Sequence, residues 1–400
     1  MAPSDIDSGE TCDVFVVGAG LAGLAAAVGF ARAGRRVVSA GATERLGRGR
    51  TVALLGPSVD FLEELGVWPA VVPRAAPMRG LRIVDDTGSL FAPPPVEFRA
   101  REIGRDVFGW NVENAALADA FEASAAAHPN LVRIAANVAA FDFAPERAMV
   151  TLADGRVFAA ALVVGADGRA SPSRRAAGIA VRVRRYPQSA LTVVLAHARP
   201  HDDFSTEFHT RQGPFTLVPL PAAPDAPNRS SLVWSMSEAE AKRRAALDDA
   251  ALAAEIERQA RSLLGAMRIE GERGLFPLAR QSVSRFVATR LALVGDAAHA
   301  FPPIGAQGLN LGLRDVKALI AATLASDDVG ADDALDRYAA RRAADVAFRT
   351  AAVAGLNRSL LADCAPVDLA RGLGLAALGA IGPLRRLAMR QGVAPLFAQA

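Results

Sequence analysis

Apolar and polar positions change their pattern several times along this chain, and one pattern recurs three times. Val14, Phe15, Val16 and Val17 form a continuous apolar run, glycines follow at 18, 20 and 23, and an Ala/Leu/Val-rich stretch continues to Ala31. Such a run, broken by glycines and followed by a long apolar segment, predicts a buried strand, a tight turn and a helix packed back on the strand. The apolar run 161–164 ends at Gly165 and leads into Asp167-Gly168, and the run 291–294 ends at Gly295-Asp296. Between these marks lie other periods. Residues 117–127 read as an Ala-rich helix, and 150–152 and 157–164 read as strands about an Asp154-Gly155 turn. Strand-like runs follow at 191–196, 215–218 and 231–235, then a charged helix over 250–264, and the chain beyond 331 reads as helical.

The third mark carries the most chemistry. Asp296 places a carboxylate at the C-terminal end of a strand, Pro302 and Pro303 bar regular structure, and Gly305 and Gly308 let the backbone approach something closely. A helix is predicted to start near Leu309, so free N–H groups and a positive dipole end face whatever sits there. This suits a large, flat ligand that becomes negative on reduction, as a flavin does. Taken alone, the segment reads equally well as a helix cap and a buried turn. The first mark narrows the choice, because Gly18, Gly20 and Gly23 have the GxGxxG spacing between a strand and a helix. There the first glycine makes the turn, the second lets backbone N–H groups reach a pyrophosphate, and the third lets helix pack on strand.

With these motifs in this order, the chain resembles the single-component flavoprotein aromatic hydroxylases, of p-hydroxybenzoate hydroxylase-like architecture. Within them it is most similar to the ubiquinone-biosynthesis hydroxylases. The resemblance runs from about residue 12 to about residue 395 and is carried by 49–58, 65–68, Gly109 to Asn114, Pro303 to Asp315, and a tail from Gly355 to Arg386. It implies an α/β fold. A Rossmann-like FAD-binding domain of the GR2 type would take 1–72, 101–180 and 286–330. An interleaved, mostly antiparallel β-sheet substrate domain would take 73–100 and 181–285, followed by a C-terminal helical segment at 331–400. It further implies FAD as cofactor and NAD(P)H as co-substrate, with hydroxylation of a phenol by O2 through a flavin C4a-hydroperoxide.

Carried over residue by residue, Gly18, Gly20 and Gly23 hold the ADP part, and Asp167 and Gly168 serve the flavin and nicotinamide. Gly295 and Asp296 hold the ribitol, and the helix after Gly308 supports the N1/C2=O edge of reduced flavin. Pro303 and Gly305 stand at the reacting face as the catalytic pair. Arg50 balances phosphate or flavin charge, unless it is a surface ion pair, and Gln307 and Asn310 orient the ring edge or cap the helix. His299 is read as a structural neighbour of the loop.

Three departures stand against this pattern. Gly41 occupies the position, after strand residues 36–40, where an acid would accept from the adenosine ribose; Glu44 is the next acid. Many relatives have arginine where this chain has Ala115. Tyr186 and Tyr338 are the only tyrosines, so phenol-activating tyrosines have no evident counterpart.

Composition changes the picture little. Four hundred residues, 51% hydrophobic, support two or three structural units. A net charge of +3 without a basic, aromatic-interleaved cluster argues against nucleic acid as a partner. Five scattered histidines show no ligand spacing, so no metal is expected, and Cys12 and Cys364 suggest no disulfide framework. The polar, acidic N-terminus is wrong for a secretory signal. The uncharged run 14–31 is punctuated by glycines in its first half and reads as buried strand, turn and helix rather than a span. After Asp368 no acidic residue occurs, while Arg371, Arg385, Arg386 and Arg390 alternate with apolar residues. Such a tail, 369–400, can lie on an anionic membrane surface, or pack on the FAD domain or a second protomer.

The expectation is therefore a cytoplasmic FAD-dependent monooxygenase, peripheral on the inner membrane, hydroxylating a prenylated phenol in ubiquinone biosynthesis beside other enzymes of that pathway. The alternatives are a hydroxylase of a soluble aromatic compound and a non-catalytic assembly protein that keeps the fold.

Overall fold

The computed structural model describes residues 11–42, 50–89, 92–302, 307–361 and 365–393. The apolar runs become adjacent strands of one sheet. Thr11–Val17 lies between Val37–Ala40 and Val157–Gly165, parallel to both, and Leu291–Leu293 runs parallel on the far side of Val157–Gly165. Parallel strands covered on both faces need apolar side chains in both directions, which is why Val14, Phe15 and Val16 are consecutive and fully buried. Register decides the rest. Val17 pairs with Gly165, and Gly165 with Leu293, so all three motif loops leave the same carboxyl edge side by side.

Helices Leu21–Arg32 and Gln307–Thr323 cover one face of this sheet. They pack closely enough that a Cβ at Gly29 would lie 2.4 Å from Ile320.

A second sheet of eight strands is mostly antiparallel. Its order runs from His299–Ala300 through Met267–Val283, Val181–His197, Arg229–Ser237, Gly213–Leu220 and Phe204–Thr210 to Gly80–Asp85 and Val96–Arg99. Phe204–Thr210 and Gly80–Asp85 pair in parallel, which ties residues 80–99 to the sheet built from 181–283. The segment after Asp296 crosses between the sheets, since His299 pairs with Ser282 of the second one. Thr51–Leu55, Gly109–Glu113 and Ala75–Met78 form a third, small sheet between the two.

Two expectations shift. The helix predicted over 250–264 is Asp249–Gln259, because Arg261 and Ser262 take left-handed φ values of 53° and 51° and unwind its end. The C-terminal tail, for which the sequence allows a membrane surface, the FAD domain or a second protomer, packs on the outer strand Val96–Arg99 of the second sheet and on the segment that follows it. Leu375 of Ala365–Ala380 and Met389 of Gly382–Val393 join Val96, Phe98, Ala100 and Phe108 in one apolar cluster beside the second sheet. Arg371 bonds Asp85 and Thr87, and Arg385 bonds Glu102, so the docking is polar as well as apolar.

Candidate active-site cavity

The three loops open onto one cavity of about 860 Å3, within the size range of cofactor and ligand sites. Gly20, Gly168, Arg169, Gly295, Asp296, Gly308 and Leu309 line one end of it. The glycines of the first loop divide into two kinds. A Cβ at Gly18 would stand 2.3 Å from the Ala166 carbonyl oxygen, and one at Gly23 would stand 2.1 Å from the Gly18 oxygen. These two close the turn and seat the helix. A Cβ at Gly20 would meet nothing within 4 Å. Gly20 therefore leaves room beside the N-terminus of Leu21–Arg32, whose first turn carries no acidic residue. An open cradle with free N–H groups and a positive dipole fits a pyrophosphate. The helix Gln307–Thr323 presents a second such end, where a Cβ at Gly308 would also be unobstructed.

The carboxylates at the strand ends differ. Asp296 is partly exposed in the cavity wall and pairs with Arg169 at 3.2 Å. Asp167 accepts from the Ser171 hydroxyl and, at 2.8 Å, from the Ser173 N–H, so it organises its own loop. Gly168 beside it, at φ +77°, faces the cavity. Arg174 is buried and clamps two motif loops together, donating to the carbonyls of Ala297 (2.8 Å) and Arg169 (2.7 Å). Burial lowers its affinity for a proton, and the Asp167 charge partly offsets this.

Beneath the third loop lies a buried ionic network. Asp315 accepts from the Gly295 N–H at 2.9 Å, from His299 Nε2 at 2.7 Å and from Arg342 Nε at 2.7 Å. Burial would raise its carboxyl, but the His299 and Arg342 charges with these bonds hold it below the usual carboxylate range. Gly295, at φ +60°, can turn tightly here because Gly312 of the covering helix has no side chain to obstruct it.

Other expected residues fall elsewhere. Asn310 is fully buried and outside the cavity wall; it accepts from the Leu55 N–H and Ser58 hydroxyl and donates to the Ala53 carbonyl. It fastens the covering helix to the small sheet, a role that spacing alone does not separate from a cofactor contact. Arg50 lies with its guanidinium 4.3 Å from the Phe276 ring centre, outside the wall, while its neighbour Thr51 lines it. Pro303, Gly305 and Glu44 lie outside the described residues, as does the side chain of Gln307. At Gly41 a Cβ would stand 2.7 Å from the Ala19 nitrogen, so the first loop occupies the space an acidic side chain would need.

The far end of the cavity is of another character. Met78, Leu81, Ile83, Phe98, Phe108, Leu378 and Met389 make it apolar. Sequence reasoning missed the one acid set into it. Glu207 lines the wall and accepts from His209 Nε2 at 2.8 Å and from Thr216 at 3.3 Å. The available signal was the alternation of Ser205, Glu207 and His209 along a strand, visible only once the strand's cavity face is known.

The FAD binding domain family matches residues 11–352, across all three loops. The chain belongs to that family. It is 35% identical to a ubiquinone hydroxylase, UbiL, of Rhodospirillum rubrum, covering 97% of this chain and 90% of that protein. It is 32% identical to the 3-demethoxyubiquinol 3-hydroxylase of Escherichia coli K12, covering 95% and 98%. Among solved structures it is similar to the p-nitrophenol 4-monooxygenase PnpA of Pseudomonas putida, with a TM-score of 0.78 at 21% identity over 95% of this chain and 97% of that one. That likeness concerns the fold. With this family and these relatives, the chain is an FAD-dependent monooxygenase of the hydroxylase type.

Proposed function

We propose that this monooxygenase hydroxylates the ring of a prenylated phenol in ubiquinone biosynthesis, with NAD(P)H and O2 as co-substrates. The observation that carries the reading is the continuity of the cavity. It runs from the glycine loops past Glu207 into an apolar chamber capped by Leu378 and Met389, so a ring held between the loops and Glu207 would have its hydrocarbon chain run on toward Leu378 and Met389. The UbiL and demethoxyubiquinol hydroxylase relatives match along nearly the whole chain, which supports the same substrate class.

In this reading the N–H groups around Gly20 take the pyrophosphate, Asp296 accepts from the ribitol hydroxyls, and the helix end at Gly308 faces the flavin's N1/C2=O edge. Gly18 and Gly23 shape that cradle, Gly168 leaves room for the flavin, and Asp167 and Gly295 hold their loops in place. FAD, when bound, supplies the activation of O2 and the transfer of one oxygen atom to the ring. The protein's share is to bind, to orient the ring and to keep water out, and the apolar chamber serves all three.

The tail completes the reading as a membrane contact. Leu369 and Leu373 on one C-terminal helix, Ile381 between the two, and Leu384 and Leu387 on the other are exposed, with Arg386 and Arg390 also exposed. Ala388, exposed as well, belongs to the cavity wall, so the cavity reaches the surface that these residues form. Apolar and basic side chains together suit an anionic lipid surface. Among the described residues no helix is long and apolar enough to cross a membrane, so the contact proposed is peripheral. Sedimentation with anionic vesicles tests it: the wild type pellets, and a Leu373→Glu, Leu387→Glu variant stays in the supernatant.

Titration with FAD, followed by NADPH oxidation with and without a prenylphenol, tests the activity. Substrate-stimulated oxidation with a hydroxylated product is expected. Gly41 favours one other reading, a fold kept for assembly without catalysis, and failure to bind FAD at high concentration would select it. NADPH consumed only to peroxide would keep the chemistry and overturn the substrate.

A further inference from the structure

Among the described residues the cavity wall holds two acids, and their settings differ. Asp296 has a cation beside it, Arg169. Glu207 has instead a histidine, His209 with Nε2 at 2.8 Å, and the Thr216 hydroxyl as its partners among the described residues. It stands in a strand whose opposite face packs Phe208 against Phe215, and its own face looks into the apolar chamber beside Ile83, Val218 and Val233. A carboxylate in such surroundings is costly unless hydrogen bonds satisfy it. Here one oxygen takes a good bond from His209, the other only a long one from Thr216, and a carboxylate offers about four acceptor positions. Acceptor capacity is left over, and it faces the cavity. His209 is itself buried, with Nδ1 unpartnered, so its ring serves Glu207.

We propose that Glu207 accepts the hydroxyl of the bound phenol and takes its proton as oxygen is delivered to the ring, with His209 as the positioning residue that holds the carboxylate. This deepens the hydroxylase reading and rests on it. The proton stays on the phenol at first, since a phenol ordinarily ionises near pH 10 and a carboxyl near 4. As a ring carbon forms its bond to the electrophilic oxygen, the ring loses a pair of electrons and its hydroxyl becomes strongly acidic. The O–H bond then breaks, its pair becomes the C=O of a dienone, and the proton moves to Glu207. The substituted carbon then gives up its hydrogen as a proton to water, which restores the aromatic ring, and the dienone oxygen recovers its proton from Glu207. The ring is oxidised by two electrons: the O–O bond derived from O2 breaks as the C–O bond forms, and the second oxygen leaves as water with the two electrons that NAD(P)H supplies. The arrangement does in carboxylate form what the missing tyrosines would otherwise do, and Tyr338 is not available, being buried with its hydroxyl bonded to the Leu293 carbonyl.

Other charged groups near this face are already paired. Asp85, opposite His209 in the neighbouring strand, is bonded by Arg371, and Arg371 and Arg211 both hold Asp368. At the loop end, Asp296 and Arg169 hold each other.

The test uses the FAD-loaded full chain, a short-chain prenylphenol and its methyl ether. Binding is read from flavin fluorescence, and turnover from NADPH oxidation and product. Wild type is expected to prefer the phenol over the ether by roughly tenfold or more, as a hydrogen bond to a charged acceptor implies. Glu207→Gln should lose most of that preference and about a hundredfold or more of product formation, with FAD affinity and ether binding unchanged. A Glu207→Gln enzyme that hydroxylates like wild type, or keeps the preference, overturns the inference alone. A wild type that makes no hydroxylated product overturns the substrate reading and the inference together. Should Glu207→Gln fail to fold, His209→Phe decides. Without its donor the carboxyl should rise, moving the acid limb of the kcat profile to higher pH, and an unmoved limb overturns the proposal.

Discussion

The two ends of the cavity are built by different means. At the loop end the wall is rich in glycine, with Gly20, Gly168, Gly295 and Gly308 in it beside the paired Arg169 and Asp296. At the chamber end it is side chains, drawn from strands Gly80–Asp85, Phe204–Thr210, Gly213–Leu220 and Arg229–Ser237 and from two C-terminal helices. A backbone wall fixes shape and dipole direction, and it fails when a Cβ intrudes. A side-chain wall fixes chemistry, and it tolerates changes of shape better than changes of charge.

The largest effect is expected where the loop end is held from beneath. Asp315→Ala would take the acceptor from His299 Nε2 and from Arg342 Nε, leave Arg342 with Asp345, and free the Gly295 N–H. Breaking a buried pair in this way costs about 3–5 kcal/mol, so the unfolding midpoint should fall well below that of wild type and FAD affinity with it. A midpoint unchanged in urea would mean that the loop is held by other contacts.

The glycines should separate by kind. Gly23→Val drives a side chain into the Gly18 carbonyl and should lower stability, whereas Gly20→Val fills only open cradle space. Gly20→Val should unfold like wild type yet lose FAD affinity by about tenfold or more, since each lost charge-assisted bond is worth ~1.5–3 kcal/mol. If both variants lose stability alike, the first loop is not divided into structural and binding glycines.

How much of this was legible follows the same division. The loop end could be read from the chain because its parts are local: Gly18, Gly20 and Gly23 sit within one turn, and Asp167 and Asp296 each follow their own strand. Their convergence required only parallel pairing, and the register of Val17, Gly165 and Leu293 supplies it. Asn310 shows the limit of spacing. It lies in the right helix, but its partners at Leu55 and Ser58 come from a strand and helix far earlier in the chain. Glu207 and His209 show a deeper limit. Nothing local marks a strand's cavity face until residues 80–85 pair with it and the tail closes over the chamber.

A missing acid tests the backbone end more gently. Gly41 denies the adenosine ribose a carboxylate, and one such bond is worth roughly 1.5–3 kcal/mol. FAD should therefore be lost readily on gel filtration, and flavin retained one to one would contradict this. Gly41→Glu is expected not to recover the affinity, because its Cβ would stand 2.7 Å from the Ala19 nitrogen and displace the glycine loop. Tighter FAD binding by that variant would mean that the loop yields easily.

The smallest effect belongs to the chamber end, and its sign can be worked out. Burial alone would raise the Glu207 carboxyl, but the bond and charge of His209, with the Thr216 bond, outweigh it and hold it below its ordinary 4.5. A carboxyl lowered by folding contributes stability that is fully present above the unfolded value and is lost as pH falls through the folded one. Asp85 and Asp368 are also lowered, so total acid stability mixes several groups. The difference between wild type and Glu207→Gln isolates one of them. That difference should be about 1 kcal/mol near neutral pH, begin to shrink once the pH falls through the ordinary carboxyl value of 4.5, and vanish only below the lowered folded value. A gap that persists unchanged into acid would mean that the carboxylate charge contributes nothing through His209, and that the chamber is held by shape as the loop end is.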